Sequence, residues 1–300
     1  MKRVLLLLCC VLNAFPLKAN DVAKRPRIVA IESVTVWVSD ITESNKFYST
    51  VLGTARDCAK CQWDKSLAFD LPSIQTIWIE RRPFEARDNS INRIVFRTDD
   101  LKALNNYLRA SKVRLIAFQS GPNGVIRVND PEGHQLVFIQ QPPSGIAKTI
   151  QNRPISNQTR LIHAGWIVKD RAAMDKFYRD ILGFHLYWQG GMKDGEPNWV
   201  SMQVPDGTDW IEYMLNVDSN ANKHLRGVMN HIALGVPSVK EAAIQLEKNG
   251  VKLTEQPKIG RDGKWQLNLY DPDDTRVELM EFTPVEKPCC SEFTGTHPKP

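Results

Sequence analysis

Lys46-Phe47-Tyr48-Ser49-Thr50-Val51-Leu52-Gly53 returns 130 residues later as Lys176-Phe177-Tyr178-Arg179-Asp180-Ile181-Leu182-Gly183. The likeness spreads outward from these two phrases. Upstream, Val36-Trp37-Val38-Ser39-Asp40 answers to Gly165-Trp166-Ile167-Val168-Lys169-Asp170, with the tryptophans one position out of step. Downstream, Trp78-Ile79-Glu80 answers to Trp210-Ile211-Glu212, and Asp130-Pro131-Glu132-Gly133 to Asp271-Pro272-Asp273-Asp274. Phrases that recur in one order mark a duplication. The reading is two halves, 28–142 and 160–283, joined by a polar linker, 143–159, and followed by a tail, 284–300, that contains Pro and Cys.

Each half divides again. In the second, 161–168 reads as a strand. Asp170 can cap a helix whose Ala173, Phe177 and Ile181 share one face, and Gly183 suits its C-terminal turn. Short strands are expected near 184–189, 198–204 and 210–215. The pattern then restarts with a strand from His231 to Val236 and a helix from Ser238 to Leu246 that stops at Gly250. Strands near 251–255, 265–270 and 275–282 complete it. The unit is strand, helix and three strands, and the first half shows the same order twice. The fold class is α+β, with four βαβββ units in the chain.

The βαβββ unit, the Phe-Tyr-x-x-x-Leu-Gly phrase and the Asp-Pro-Asp turn before an apolar-Glu-Leu strand resemble the vicinal oxygen chelate superfamily. That superfamily includes glyoxalase I, the fosfomycin- and bleomycin-resistance proteins and extradiol dioxygenases. The resemblance covers nearly all of residues 28–283. It implies two tandem glyoxalase-like domains, each a cupped sheet made of two units. It also implies a metal inside the cup.

Strand alternation places His163 on one face with Leu161, Gly165 and Ile167, and His231 with Ala233 and Gly235. The residue two after each His is small, which leaves room beside the imidazole for a ligand. Glu212 shares a face with Trp210 and Met214, and Glu278 with Arg276 and Met280. The other face around each acid is apolar, and a buried acid calls for a partner. Two imidazoles and two carboxylates bind a divalent transition metal and leave positions for water or substrate. Their spacings are 49, 19 and 47 residues. In glyoxalase I relatives, His-Glu-His-Glu come in the same order from the first and last strands of each unit. The expected cofactor is one divalent ion per chain: zinc, nickel, iron, manganese or cobalt.

The matching positions of the first half read as Ser33, Glu80, Arg93 and Val137. Only the carboxylate remains there, and Arg93 is placed to pair with Glu80 where a metal once sat. The first half is therefore expected to be metal-free and to serve packing, the substrate entrance or dimerisation. His134, His185, His224 and His297 read as surface residues. Tyr187, Trp188, Trp199 and Trp265 read as core or as the lining of an apolar pocket near Gly190-Gly191. Arg226, Arg261 and Lys264 read as anion clamps or as solvated loop residues. No P-loop, GxSxG, HExxH or dinucleotide-binding glycine phrase is present.

The resemblance implies a glyoxalase-type lyase or isomerase. It would act on a small substrate with vicinal oxygens through an enediolate held by the metal, with Glu278 or Glu212 moving the proton. The first alternative is an extradiol-type dioxygenase in which His163, His231 and Glu278 bind iron(II). Glu212 then crowds an open position, and no His lies between Ile259 and Thr275, where the ring-cleaving signature places one. A non-catalytic module that binds a metal or a ligand is the other alternative.

The chain has 300 residues, 42% hydrophobic and 24% charged, which excludes collagen, coiled-coil arrays and wholesale disorder. Lys2-Arg3, the apolar run Val4–Leu12, Pro16 and Ala19 read as a signal peptide, 1–19, cut before Asn20. The expected location is secreted or periplasmic, with no membrane attachment after cleavage. Without Lys2, Arg3 and Lys18, the 39 basic residues fall to 36 against 34 acidic. That near-neutral balance gives no reason to propose a nucleic-acid partner. A small-molecule substrate and a homodimer are the partners that fit. In an oxidising compartment Cys58, Cys61, Cys289 and Cys290 read as structural disulfides of open connectivity.

Overall fold

The computed structural model describes residues 24–57, 66–83, 90–140 and 155–300. The expected signal peptide, Cys58, Cys61 and most of the expected linker lie outside them. Among the described residues no helix is long and apolar enough to cross a membrane.

The four units are present in the expected order. The first is β1 (Ile28–Val38), α1 (Ile41–Leu52), β2 (Arg56–Asp57), β3 (Leu67–Asp70) and β4 (Thr76–Arg81). The second is β5 (Ile91–Thr98), α2 (Leu101–Ala110), β6 (Leu115–Gln119), β7 (Val125–Asn129) and β8 (Gln135–Gln140). The third is β9 (Arg160–Ile167), α3 (Arg171–Asp175), β10 (His185–Gly190), β11 (Trp199–Gln203) and β12 (Trp210–Met214). The fourth adds a short helix, α4 (Lys223–Met229), before β13 (His231–Val236). It continues with α5 (Val239–Lys248), β14 (Lys258–Ile259), β15 (Trp265–Tyr270) and β16 (Arg276–Glu281).

Two mixed eight-stranded sheets result, ordered β2-β3-β4-β1-β5-β8-β7-β6 and β10-β11-β12-β9-β13-β16-β15-β14. In each, two units meet through their first strands, antiparallel at the centre, while each first strand runs parallel to the last strand of its own unit. That topology puts the first and last strands of units three and four side by side, where the four expected ligands lie. One continuous apolar core spans both halves, with Phe96 of β5 edge-on to Phe184 at 5.6 Å. The buried Gln75 side chain joins β1 to β9: its amide nitrogen donates to Ile31 O at 2.9 Å and Leu161 O at 2.8 Å, and its oxygen accepts from Leu161 N at 3.0 Å.

The structure departs from the sequence reading in several places. Asp170 does cap α3, donated to by Ala173 N at 3.0 Å. The helix then widens over Lys176–Ile181, where Leu182 N reaches back five residues to Phe177 O. The buried stripe is Met174, Phe177, Tyr178 and Leu182, with Ile181 packed against the core from the side and Ala173 half-buried. No strand forms at 251–255. The edge strand comes after Pro257, and the Glu255 carboxylate takes bonds from Lys258, Asn268 and Tyr270 instead. α4 was not expected: its Asn222 cap falls in a polar run with weak apolar periodicity. His224 sits on it, exposed, 3.1 Å from Asp274.

Cys289 and Cys290 are joined to each other. The tail they belong to lies along β10, where Thr294 N donates to Tyr187 O at 3.0 Å and Gln189 N to Ser291 Oγ at 3.0 Å.

Candidate metal centre

His163, Glu212, His231 and Glu278 converge. The two Nε2 atoms are 3.0 Å apart. Glu212 Oε2 lies 3.3 Å from His231 Nε2, and Glu278 Oε2 lies 3.6 Å from His163 Nε2. Both imidazoles and Glu278 are buried. Strand pairing explains the convergence. Across β9 and β13, His231 faces Gly165 and Ala233 faces His163, while β12 brings Glu212 opposite Gly165 and β16 brings Glu278 opposite Ala233.

The small residue two after each His therefore makes room for the other imidazole, not for an incoming ligand. At Gly165 the fit leaves no space: a Cβ there would lie 2.1 Å from His231 Cε1. A second correction concerns Leu161. The β9–β13 register skips Ile162, so Leu161 packs in the large core with Ala164 and Trp166, and Ile162 takes the cavity side with Trp210 and Ala233.

Three of these side chains, His163, Glu212 and His231, each bring a ligand atom within 4.8 Å of the others and fit a divalent cation, and Glu278 stands beside His163. Among the described residues neither Glu212 nor Glu278 has a Lys or Arg ion pair, and Glu212 is otherwise bonded by Ser201 Oγ at 3.1 Å. Two such carboxylates, Glu278 buried and Glu212 partly buried, are costly unless a cation offsets them. Met229 O lies 3.2 Å from His231 Nδ1; a proton on that nitrogen would leave Nε2 with its lone pair toward the centre. His163 Nδ1 is buried without a partner. Burial lowers the pKa of both imidazoles, favouring the neutral form that binds metals. Burial pushes Glu278 up to about 7 against the pull of Arg276. Glu212 stays anionic: burial opposes this, but hydrogen bonding and the positive charge around it, Arg276 included, outweigh it. A metal would be held by His163, Glu212 and His231, with Glu278, the fourth expected ligand, beside His163.

The centre opens into a cavity of about 360 Å³, the size of a small-ligand site. One wall is aromatic: Tyr187, Trp188, Trp199, Trp210 and Phe293. The other is polar, with Gln266, Asn268 and Arg276. Trp265 takes no part in the lining; it packs against the large core, with Lys240 Nζ 3.9 Å from its ring centre. Of the expected anion clamps, Arg261 is at the cavity rim, bonded to Asp194, and Arg226 does not line the cavity. Lys264 is fully buried among Tyr187, Trp210 and Phe293, its Nζ 3.1 Å from Tyr187 Oη. Three expected surface histidines are half-buried, and His185 is bonded to Gln203 Oε1 at 3.1 Å. His134 stacks on Trp166 at 4.3 Å, and His297 is bonded to Tyr187 Oη at 2.6 Å. Asn268 and Gln266 escaped the sequence reading, although they alternate on β15 opposite Glu278 and Met280. No sequence signal places Phe293 of the tail there.

In the first half, the expected pair is present: Arg93 Nη2 is 2.5 Å from Glu80 Oε1, and Asn92 Nδ2 donates to Glu80 Oε2 at 3.0 Å. The register corrects the alignment behind it. Glu212 faces Gly165, two after His163, but the residue facing Thr35, two after Ser33, is Trp78. Glu80 faces Trp37, one pleat farther along. The positions matching the four ligands are thus Ser33, Trp78, Arg93 and Val137, with no carboxylate among them.

Residues 160–279 match the family profile of the Glyoxalase/Bleomycin resistance protein/Dioxygenase superfamily. Mitochondrial methylmalonyl-CoA epimerase of Mus musculus is 26% identical over 137 residues, 44% of this chain and 76% of the relative. Among solved structures, homoprotocatechuate 2,3-dioxygenase of Brevibacterium fuscum aligns with TM-score 0.62 and 19% identity over 92% of this chain and 88% of its own. The Arthrobacter globiformis enzyme of the same name aligns with TM-score 0.63 and 19% identity, over 86% of this chain and 80% of its own. At these identities the structural likeness speaks for the fold.

Proposed function

We propose, from the premise that residues 160–279 belong to the Glyoxalase/Bleomycin resistance protein/Dioxygenase superfamily, that this chain is a metal-dependent enzyme. Its substrate is a small molecule with two neighbouring oxygens. The observation that carries this reading is the pair of carboxylates, Glu278 buried and Glu212 partly so, each without a Lys or Arg ion pair among the described residues, around two Nε2 atoms 3.0 Å apart. A divalent metal there supplies a Lewis acid for the two substrate oxygens. The chain's own contribution is to hold the ligand set, exclude water with the aromatic wall and position the substrate body.

Of the two reactions, extradiol-type ring cleavage with iron(II) has the wider support. The two-domain arrangement, with one complete ligand set in the second domain, aligns over most of the chain with the homoprotocatechuate dioxygenases. The wall of Trp188, Trp199 and Phe293 suits a flat ring. His163, His231 and Glu278 would form the triad.

Glyoxalase-type lyase or isomerase chemistry is the second reading, and Glu212 favours it. A second carboxylate beside the substrate gives two groups, Glu212 and Glu278, able to take and return a proton. The epimerase relative points the same way.

The test begins with metal content of anaerobically purified protein. Iron with oxygen uptake on catechols supports ring cleavage. Nickel, zinc or cobalt with exchange of a substrate α-proton for solvent deuterium supports proton transfer. Metal bound with neither activity, and a ligand recovered unchanged, leaves the binding module. No metal after reconstitution overturns the proposal. We also propose export through residues 1–19; the N-terminal residue of the mature protein, expected to be Asn20, tests it.

A further inference from the structure

The cavity beside the metal centre has an imbalance of charge and of hydrogen bonding at one end. Its acids are Glu212, Glu278 and Asp262, and Arg276 is its inner cation, with Lys264 buried behind the aromatic wall. A divalent metal at the candidate centre would offset Glu212 and Glu278. Asp262 and Lys264 face each other's charge, and Lys264 N donates to Asp262 Oδ1 at 3.2 Å. The rim cations are already paired, Lys258 with Glu255 at 2.8 Å and Arg261 with Asp194. Arg276 is left over. It lines the cavity, has no hydrogen bond or ion pair among the described residues, and its Nε is buried.

Asn268 lines the same end, on the strand beside Glu278. Its amide nitrogen donates to Glu255 Oε2 at 3.1 Å. A carboxylate only accepts, so this bond fixes which amide atom faces Glu255. Asn268 Oδ1 is the atom left buried without a donor. One end of the cavity thus offers an unmatched cation and an unmatched acceptor, and the far wall is aromatic.

We infer that Arg276 and Asn268 form a subsite for a hydroxy-carboxylate, so that the substrate is a monoanionic small acid with a hydroxyl beside its carboxyl group and an apolar or aromatic body. Arg276 pairs with the carboxylate, Asn268 accepts from the hydroxyl, and the body lies against Trp188, Trp199 and Phe293. This deepens the metal-enzyme reading above and rests on it. Arg276 and Asn268 determine specificity; neither is assigned a bond-making step.

The experiment uses the full mature chain loaded with zinc and two probes, mandelate and mandelamide, with binding read by calorimetry. The two share a ring and a hydroxyl and differ in charge. Wild type is expected to bind mandelate at least about tenfold tighter than mandelamide, as charge-assisted pairing requires. In Arg276→Gln that preference collapses while zinc content stays the same. Arg276→Lys restores part of it, because the charge remains without the fork geometry. Asn268→Leu weakens mandelate but not phenylacetate, which lacks the hydroxyl. Equal binding of the two probes by wild type, absence of mandelate binding, or a preference that survives in Arg276→Gln overturns the subsite. Zinc content separates the two claims: zinc bound without discrimination defeats the subsite alone, and discrimination without zinc defeats the metal reading alone.

Discussion

Tyr48 of the first half donates its hydroxyl to Asp271 of the second at 3.1 Å, and Tyr178 of the second half donates to Asp130 of the first at 3.1 Å. Each aspartate opens an Asp-Pro turn. One of its oxygens accepts backbone N–H groups of its own turn: Asp273 and Thr275 for Asp271, Glu132 and His134 for Asp130. The other oxygen receives the tyrosine of the opposite half. The two phrases that reveal the duplication are therefore also the ones that lock the copies together.

Tyr48→Phe is expected to cost about 1–3 kcal/mol, because it leaves a buried carboxylate oxygen without its donor. Urea denaturation measures it. The cost depends on pH. Burial pushes the Asp271 carboxyl up to about 6, against the turn N–H bonds that lower it. That lies above its unfolded value of about 3.9, so the cost of ionising it in the fold is complete above about pH 6 and fades as pH falls toward 3.9. Tyr48→Phe should therefore destabilise more at about pH 8 than at about pH 5. An equal loss at both would show that Asp271 is not the group responsible.

Gly165→Ala places a methyl where the His231 ring stands, 2.1 Å from Cε1. The ring must move, so metal affinity should fall by about tenfold to a hundredfold, the range seen when ligand positioning is lost. Far-UV circular dichroism should change little. A metal titration that matches wild type would refute this account of Gly165.

Metal content should be one ion per chain, and none in His231→Ala combined with Glu278→Gln. The first half should contribute nothing, since Ser33, Trp78, Arg93 and Val137 offer no ligand set. Saturating metal at about a thousandfold over its dissociation constant should stabilise the wild type by about 4 kcal/mol in thermal or chemical unfolding, and the double variant not at all. A count near two would defeat the assignment.

A chain ending at Glu286 loses the bonds from Trp188 Nε1 to Cys289 O at 3.2 Å and from Gln203 Nε2 to Thr296 O at 2.9 Å, with those to Ser291 and from Thr294. At about 1 kcal/mol for each, stability should drop by about 2–4 kcal/mol. Tryptophan emission should shift to the red as Trp188 and Trp210 gain solvent. Metal content should hold, because no ligand lies in the tail. Unchanged emission would mean that the tail does not cover the aromatic wall in solution.

The sequence by itself determined the duplication, the four units and the four residues that converge at the candidate metal centre. Repeated phrases and strand alternation are local patterns, and the ligands stand at fixed places within them. Three things needed the tertiary structure. Register decided that Trp78, not Glu80, stands at the place of Glu212, because shifting a strand pair by two residues keeps every side chain on its face and leaves no trace in periodicity. Packing decided that Gly165 makes room for His231, since strands 68 residues apart in sequence meet only in the fold. The tail was decided by contact alone: Phe293 and Ser291 lie in a segment without periodicity, and only the exposed edge of β10 gives it a place to bind.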